Sequence, residues 1–289
     1  MGLKIVVLAK QVPDTRNVGK DAMKADGTVN RGALPAIFNP EDLNALEMAL
    51  HIKDLRPDTE VTILTMGPPR AAEIIREAIY RGADNGFLIT DRKFAGSDTL
   101  ATSYAISMAV KKVNPDMVIA GRQAIDGDTA QVGPQVAEKL DWPQVTYAEE
   151  VLFLNDDKIG IKRRLENGVE SVESTFPTLI TVHSSAPACR ARNAKRVMTY
   201  KHARTFTELQ EEVRDYTELY DQRPYLSICE WNVETIEADP EHLGLSGSPT
   251  KVKKIDNVVL QQKDSMVLTD SNQDVELLMA NLISGHIIG

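Results

Sequence analysis

The segment AGRQAIDGDTAQVGPQVAEKL, residues 120–140, holds the residues whose types and spacing point most clearly to a chemical role. It follows a short apolar run and leads into a pattern typical of a helix. A strand, a polar turn and a helix start form an arrangement in which backbone N–H groups converge on an anion. The segment lacks the lysine of a G-x-x-x-x-G-K loop, and Gly121, Gly127 and Gly133 do not have G-x-G-x-x-G spacing. The prediction is therefore a phosphate site formed mainly by backbone amides.

Individual residues of this segment have different predicted roles. The amides of Ala130, Gln131 and Val132 are expected in the first helical turn, where they would bind phosphate, and Arg122 would add a charge. Asp126 and Asp128 would repel a phosphate, so they are assigned to helix capping or to ribose hydroxyls. The alternative is a glycine-rich helix entry with an aspartate cap and no ligand. The candidates in the segment are Gly121, Arg122, Gln123, Asp126, Gly127, Asp128, Thr129, Ala130, Gln131, Val132 and Gly133.

Residues that follow the other strands are further candidates, because ligands of open α/β sheets bind beyond the carboxyl ends of the strands. Asn39 and Asp98 have an alternative role as N-caps of helices. The further candidates are Ala9, Lys10, Val12, Asn39, Asp42, Met66, Gly67, Asp98, Thr99 and Thr102.

Short β-branched runs separated by amphipathic segments predict the elements that must position these residues. The runs are 3–9, 60–66, 86–90, 116–121 and 178–182. Continuous apolar runs are typical of a parallel sheet that is buried on both faces. The segments 39–55, 68–82 and 97–113 carry apolar residues three and four apart, as crossover helices do. We therefore predict an α/β fold with a doubly wound, mostly parallel sheet.

The second half of the chain changes character. After Trp142-Pro143, alternating residues predict an antiparallel extension of the sheet, with turns at 155–157 and at Asn167-Gly168. Residues 187–224 form a charged, partly helical excursion, basic at first and then acidic. A strand is expected to return at 226–233.

Two further segments complete the predicted organisation. Asp26-Gly27 indicates a small surface hairpin. Residues 1–244 are predicted to form a nucleotide-binding domain, and residues 245–289 a C-terminal arm whose apolar helical stripe packs on a partner subunit.

Composition excludes several classes of function. A formal net charge of −9 argues against general nucleic-acid binding, and no apolar stretch is long enough to span a bilayer. No secretion signal is visible, so a cytoplasmic location is expected. Cys189 and Cys229 form no metal or iron–sulfur pattern and are expected to be buried thiols. Because neither a metal site nor a set of catalytic side chains is visible, a reaction here would depend on a bound cofactor.

Five motifs within residues 3–185 act together as a signature. They are AKQVPDT, NPEDLNALEMAL, TMGPPRA, SDTLATS and GRQAIDGDTAQVGPQVAEKLDWPQVT. In combination they resemble the small (beta) subunit of electron-transfer flavoprotein. The resemblance implies a flavodoxin-like or adenine-nucleotide-hydrolase-like domain that pairs with an alpha subunit carrying FAD.

The resemblance also implies a cofactor, with two branches. Conventional relatives hold a structural AMP in the beta subunit, whereas electron-bifurcating relatives hold a second FAD there. That FAD takes electrons from NADH and divides them between a low-potential acceptor, ferredoxin or flavodoxin, and the alpha-subunit FAD. Two features favour the bifurcating branch. Gly127 and Thr129 stand where AMP-type relatives tend to carry bulkier or different residues, and the hydroxyls of SDTLATS suit a diphosphate, which needs more donors than one phosphate.

The basic segment from Cys189 corresponds to the loop with which relatives recognise an FAD-linked dehydrogenase, of the acyl-CoA or the 2-hydroxyacid type. The position of an anchoring leucine in relatives lies near Ala194, which leaves the partner open. The docking candidates are Arg190, Arg192, Ala194, Lys195 and Arg196. The alternative interpretation is a solvated helix face that the following acidic stretch neutralises. For the whole chain, a nucleotide-binding module of the universal-stress type without a redox role is the alternative from another class.

Overall fold

The computed structural model of the 289-residue chain describes residues 2–14, 35–211, 217–250, 267–285 and 287–288. It contains two compact units, Met1–Val252 and Lys253–Gly289. The hairpin predicted at Asp26-Gly27 lies outside the described residues.

The described part of the first unit contains a large sheet, a small ribbon and seven helices. The strands are β1 (Lys4–Leu8), β2 (Gln11–Pro13), β3 (Ala36–Phe38), β4 (Glu60–Met66), β5 (Asn85–Ile89), β6 (Met117–Gly121), β7 (Gln144–Leu154), β8 (Lys158–Leu165), β9 (Gly168–Thr175), β10 (Thr178–Val182), β11 (Arg204–Thr205) and β12 (Ser227–Trp231). The helices are α1 (Pro40–Leu55), α2 (Ala72–Arg81), α3 (Thr99–Val113), α4 (Val132–Leu140), α5 (Ala194–Tyr200), α6 (Phe206–Glu211) and α7 (Thr217–Gln222).

The large sheet has ten strands in the order β11-β12-β5-β4-β1-β6-β10-β7-β8-β9. Every pairing from β11 to β7 is parallel, which confirms the prediction of a mostly parallel sheet. The chain runs outward from β1 through β4 to β5 and then crosses back to β6 on the other side of β1. A switch point therefore lies between the carboxyl ends of β1 and β6, where open α/β sheets bind their ligands.

The sheet is doubly wound because apolar side chains emerge from both faces of its strands. On one face, Ile5 and Val7 of β1 belong to a core that includes residues of α1 and α2. On the other face, Val6 and Leu8 belong to a core that includes residues of α3 and α4. The continuous apolar run of β1 thus serves both layers, as expected of a strand buried on both faces.

The antiparallel extension predicted after Trp142 is present. β7 pairs with β8, and β8 pairs with β9, both antiparallel. The first turn falls between Leu154 and Lys158, and the second between Leu165 and Gly168, close to the predicted positions. The returning strand predicted near 226–233 is β12.

The two cysteines differ in their environments. Burial raises the pKa of Cys189 to about 11, as expected for an inert thiol. The prediction for Cys229 is wrong: this residue is exposed, because it lies on β12, close to an edge of the sheet.

The second unit contains one described helix, α8 (Asn272–Ser284), at the place of the predicted helical pattern. Ser271 caps it by accepting a hydrogen bond from the Asp274 amide. Leu277, Leu278 and Met279 are exposed. Across the described residues, no helix has the length and apolar character needed to cross a bilayer.

Candidate functional site

A cavity of about 740 Å³ lies at the switch point between β1 and β6. Its volume is within the range of roughly 300–1,000 Å³ that is usual for sites of small molecules and cofactors. Most of the candidate residues line it. They are Ala9, Lys10, Asp42, Met66, Asp98, Thr99, Thr102, Gly121, Arg122, Gln123, Gly127, Asp128, Thr129, Ala130, Gln131, Val132 and Gly133.

Four candidates do not line the cavity, and each has a structural role instead. Val12 is buried in the ribbon of β2 and β3. The Gly67 amide donates to the Ile89 carbonyl and so joins the ends of β4 and β5. Asp126 binds Lys10, and Asn39 binds the loop that follows β6.

Asn39 does not cap α1 with its side chain, although its position suggested a cap. Its side-chain Nδ2 donates to the Gln123 backbone carbonyl at 2.8 Å, and its side-chain Oδ1 accepts from the Ile125 backbone amide at 3.1 Å. The next residue but one, Glu41, accepts from Arg122 at 3.0 Å and from the Gln123 amide at 3.0 Å. The start of α1 therefore fixes the backbone of the loop at 121–125, which leads into the rest of the cavity wall.

Asp42 joins the ends of the two central strands. One carboxylate oxygen accepts from the Lys10 amide at 2.8 Å, and the other accepts from the Gly121 amide at 3.2 Å. Burial raises the pKa of Asp42 to about 7, although hydrogen bonds from Asn39, Lys10 and Gly121 act to lower it. Gly121 is required by this contact, because a Cβ atom at 121 would lie 2.4 Å from Asp42 Oδ1.

The loop before α4 presents a run of unpaired backbone donors. Among the described residues, none accepts a hydrogen bond from the N–H groups of residues 129–133. Asp128 and Ala130 have positive φ angles of 49° and 52°, which turn the chain sharply on either side of Thr129. Left-handed conformations of non-glycine residues cost free energy and cluster at ligand sites. The arrangement can bind an anion through several amides at once.

The helix start differs from the prediction in one respect. α4 begins at Val132, so Ala130 and Gln131 precede the helix rather than lie in its first turn. Neither Asp126 nor Asp128 caps α4, since the N-cap residue is Gln131 and makes no side-chain cap. The positive φ angle at Ala130 explains the later start, because it interrupts the helical path.

The cationic side chains near the cavity are neutralised by the protein. Lys10 Nζ lies 2.8 Å from each carboxylate oxygen of Asp126. Arg122 is paired with Glu41, and this hydrogen bond raises the pKa of the guanidinium. Arg122 lines the cavity as predicted, but its charge is paired with Glu41. Gln123 donates to Asp128 at 2.9 Å, so this second aspartate is also engaged.

At the start of α3, Asp98 caps the helix by accepting from the amides of Leu100 and Ala101 at 2.9 and 3.0 Å. Thr99 donates its hydroxyl to Gln131 Oε1 at 2.8 Å, so that hydroxyl is not a free donor. Thr102 lines the cavity, and within the described ranges its hydroxyl has no hydrogen-bond partner. The capping alternative is thus confirmed for Asp98.

Sequence reasoning missed seven residues of the cavity wall. Alternation along the buried strands could have identified Leu8, Leu64 and Ala120. Thr250 lies far along the chain, and no motif marks it. The missed residues are Leu8, Leu64, Ser97, Ile106, Ala120, Ala124 and Thr250.

The chain is similar in sequence to known proteins over nearly its full length. The model of the electron transfer flavoprotein domain matches residues 26–205. The chain is 41% identical to the caffeyl-CoA reductase-Etf complex subunit CarD of Acetobacterium woodii, over 99% of this chain and 100% of that protein. It is also 41% identical to an electron transfer flavoprotein subunit beta of Clostridium acetobutylicum, over 99% and 100% of the two chains. An acryloyl-CoA reductase electron transfer subunit gamma of Anaerotignum propionicum is 42% identical, over 99% and 100%.

The chain belongs to the electron transfer flavoprotein family. Its similarity over nearly the full length is to beta subunits, which confirms the resemblance carried by the five motifs. Similarity to electron transfer flavoprotein beta subunits implies an alpha subunit and a dehydrogenase as partners.

In this beta subunit the basic segment is bound largely to its own domain. Arg190 pairs with Glu47 at 2.9 Å and with Asp54 at 2.7 Å, and it holds the pKa of Asp54 below its usual range. Arg196 donates to the carbonyls of Ile79 and Ala83 at the end of α2. The described ion pairs and side-chain hydrogen bonds of Arg190 and Arg196 are therefore to α1, α2 and the turn that follows α2, and none is to the described part of the acidic stretch.

The remaining docking candidates are more accessible. Arg192 pairs with Glu77 at 2.7 Å, yet 59% of its side chain is exposed. Ala194 and Lys195, at the start of α5, are exposed. The accessible docking candidates are therefore Arg192, Ala194 and Lys195.

Proposed function

We propose that this beta subunit binds FAD in the cavity at the switch point, in a heterodimer with an alpha subunit that carries a second FAD. An FAD held there would supply the chemistry by which electrons from NADH are bifurcated between ferredoxin or flavodoxin and the alpha-subunit FAD. The alpha-subunit FAD serves a partner dehydrogenase. When bound, FAD supplies the hydride and single-electron chemistry for which the chain has no side-chain set.

The run of unpaired amides at 129–133 is the observation that carries the proposal. A diphosphate has more acceptor oxygens than a single phosphate, and a row of backbone donors can bind several of them. The two cations nearby are already paired with Asp126 and Glu41, so phosphate binding would depend on amides and on the positive end of α4. Gly127 fits this role, because no atom lies within 4 Å of where its Cβ would be. A phosphate could approach the backbone closely there.

The apolar wall supports a ligand with a large planar group. Leu8, Leu64 and Ile106 line the cavity together with Met66. Sites of this kind combine apolar walls with a few fixed polar groups that set the orientation of the ligand. Gln131, held by Thr99, and the hydroxyl of Thr102 are such groups at the wall formed by α3 and α4.

The names of two relatives support the proposed partner. One relative is a subunit of a caffeyl-CoA reductase-Etf complex, and another is an electron transfer subunit of acryloyl-CoA reductase. We therefore place a dehydrogenase of the acyl-CoA type ahead of the 2-hydroxyacid type as the partner that the alpha-subunit flavin serves.

A conventional beta subunit that binds AMP is the second candidate. It is favoured because three side-chain donors near the cavity already have protein partners, namely those of Thr99, Lys10 and Arg122. A single phosphate would need only part of the amide run.

Anaerobic titration of the purified heterodimer with NADH, followed at the flavin absorbance band, tests the proposal. NADH should reduce flavin in the wild-type complex, and Gly127→Val should abolish this reduction while the alpha-subunit FAD remains bound. A wild-type complex whose flavin NADH leaves oxidised would contradict the proposed function and favour the AMP alternative.

A further inference from the structure

One wall of the cavity comes from the end of the first unit. We call residues 244–250 the strap, because they run along the loop that precedes α3 and end at the cavity. Thr250 lines the cavity beside Ser97 and Asp98, although these residues are about 150 positions apart in sequence. The strap is the last described segment before the boundary between the two units at Val252.

The strap is attached to this loop by a series of hydrogen bonds. The Gly244 amide donates to Ser97 Oγ at 3.1 Å, and the Asp98 amide donates to Ser248 Oγ at 2.8 Å. Ser248 is buried and donates in turn to the Gly244 carbonyl at 2.6 Å. Gly244 and Ser248 of the strap are therefore fixed to the two residues that precede α3.

Close packing at two glycines fixes the same contact. Gly96 has a φ angle of 78°, and a Cβ there would lie 2.7 Å from the Leu245 side chain. Gly244 has a φ angle of 54°, and a Cβ there would lie 2.4 Å from the Lys93 carbonyl oxygen. A side chain at either position would separate the strap from the loop.

Asp98 connects the strap to the helix start through a single carboxylate. Its Oδ1 accepts from the amides of Leu100 and Ala101, which caps α3. Its Oδ2 accepts from the Thr250 amide at 3.1 Å and from the Thr250 hydroxyl at 2.6 Å. Partial burial acts to raise the pKa of Asp98, but the bonds from Thr250, Ala101 and Leu100 lower it overall.

We propose that Thr250 is a nucleotide-positioning residue: held by Asp98, it completes the cavity wall, so that nucleotide binding and attachment of the strap are thermodynamically linked. The proposal rests on the proposed function only in that the cavity binds a nucleotide, whether FAD or AMP. The Asp98 carboxylate both binds the strap and caps α3. A substitution at Thr250 therefore affects the position of the α3 residues that line the cavity, Thr99 and Thr102.

Linkage makes the proposal measurable from both sides. A ligand that contacts the completed wall binds the attached state better, and by reciprocity it increases the population of that state. If the strap is detached for part of the time, the apparent affinity falls by the attached fraction. Losing the Thr250 hydroxyl removes a bond to a charged group, so Thr250→Val should raise the dissociation constant about tenfold.

The test uses the heterodimer, freed of bound nucleotide and then supplied with either FAD or AMP. Hydrogen–deuterium exchange of the peptide that contains residues 244–250 reports strap attachment, and equilibrium binding reports affinity. Thr269→Val is the matched control, because Thr269 makes the same pair of bonds to Asp274, at 2.9 and 2.6 Å, within the second unit.

The proposal expects a bound nucleotide to slow exchange in the strap at least severalfold. Thr250→Val should abolish that protection and weaken binding about tenfold, whereas Thr269→Val should change neither. Tight binding with unchanged strap exchange, or wild-type affinity in Thr250→Val, would overturn the strap proposal and leave the proposed function standing. Protection of the strap by AMP in a protein that does not bind FAD would support the strap proposal and contradict the proposed function. Binding of neither nucleotide would contradict both.

Discussion

The hydroxyl of Thr99 donates to Gln131 Oε1 at 2.8 Å and thereby joins the first residue of α3 to the residue that precedes α4. The sequence predicted Thr99 as a direct phosphate donor. In the structure this hydroxyl holds Gln131 in place beside the amide run. The neighbouring Thr102 hydroxyl lines the cavity and has no partner among the described residues.

We expect Thr102→Val to weaken nucleotide binding more than Thr99→Val. Loss of a hydroxyl that bonds a charged phosphate costs about 1.5–3 kcal/mol, whereas loss of a neutral bond costs about 0.5–1.5 kcal/mol. Titration of nucleotide-freed heterodimer with FAD, one variant at a time, gives both values. A larger loss in Thr99→Val would assign the direct contact to Thr99 after all.

Gly127→Val should remove nucleotide from the cavity without unfolding the protein. The space that a Cβ at 127 would occupy is open, and the φ angle of Gly127 is not in the left-handed region. The nucleotide-free protein should therefore tolerate a side chain at this position. We expect nucleotide content to fall at least about tenfold, because a branched side chain blocks approach to the backbone. Thermal melting of the nucleotide-freed protein should be unchanged.

Gly121→Ala is the contrasting variant. A methyl group at 121 would lie 2.4 Å from Asp42 Oδ1, so overpacking should cost about 1–3 kcal/mol of folding free energy. Urea unfolding of the two variants separates the roles of these glycines. If Gly127→Val retains wild-type nucleotide content, the assignment of the amide run to phosphate is wrong.

The stability of the protein should depend on pH through Asp42. Burial raises its pKa to about 7, above the value in the unfolded chain, so the folded state retains a proton that the unfolded state releases. The contribution is fully present below about pH 4 and is lost as pH rises through about 7. We expect the free energy of unfolding to fall by at least about 1 kcal/mol from pH 5 to pH 8, and Asp42→Asn to flatten this change. An equal pH dependence in the variant would exclude Asp42 as its source.

The basic segment should divide into a structural and a docking part. Arg196→Glu should lower stability by about 1–3 kcal/mol, because it removes the hydrogen bonds that Arg196 donates to the carbonyls of Ile79 and Ala83. Arg192→Glu with Lys195→Glu should instead slow electron delivery to the dehydrogenase and reduce the salt dependence of that rate. NADH-dependent reduction of bound flavin should stay near normal in this double variant. Equal loss of both activities would rule out a docking role.

Much of the fold follows from the sequence because its signals are local. The apolar runs that became β4 and β10 have the predicted bounds, and α1 (Pro40–Leu55) lies within the predicted helical segment 39–55. The residues at predicted strand ends and helix starts include most of the cavity wall, because these positions lie close together at the switch point of the sheet.

The parts that sequence reasoning missed depend on distant contacts. Asn39 has the residue type and position of a cap, but its partners lie 84 and 86 residues away. Thr250 reaches the cavity through Asp98, 152 residues earlier in the chain. The sequence gives no sign that Arg122 pairs with Glu41, 81 residues away.

The identity of the nucleotide in the beta site tests the central claim most directly. The measurement is acid extraction of the purified heterodimer, followed by chromatographic quantification of FAD and AMP against protein concentration. We predict two FAD and no AMP for each heterodimer. One FAD and one AMP would contradict it and would identify this chain as a conventional beta subunit.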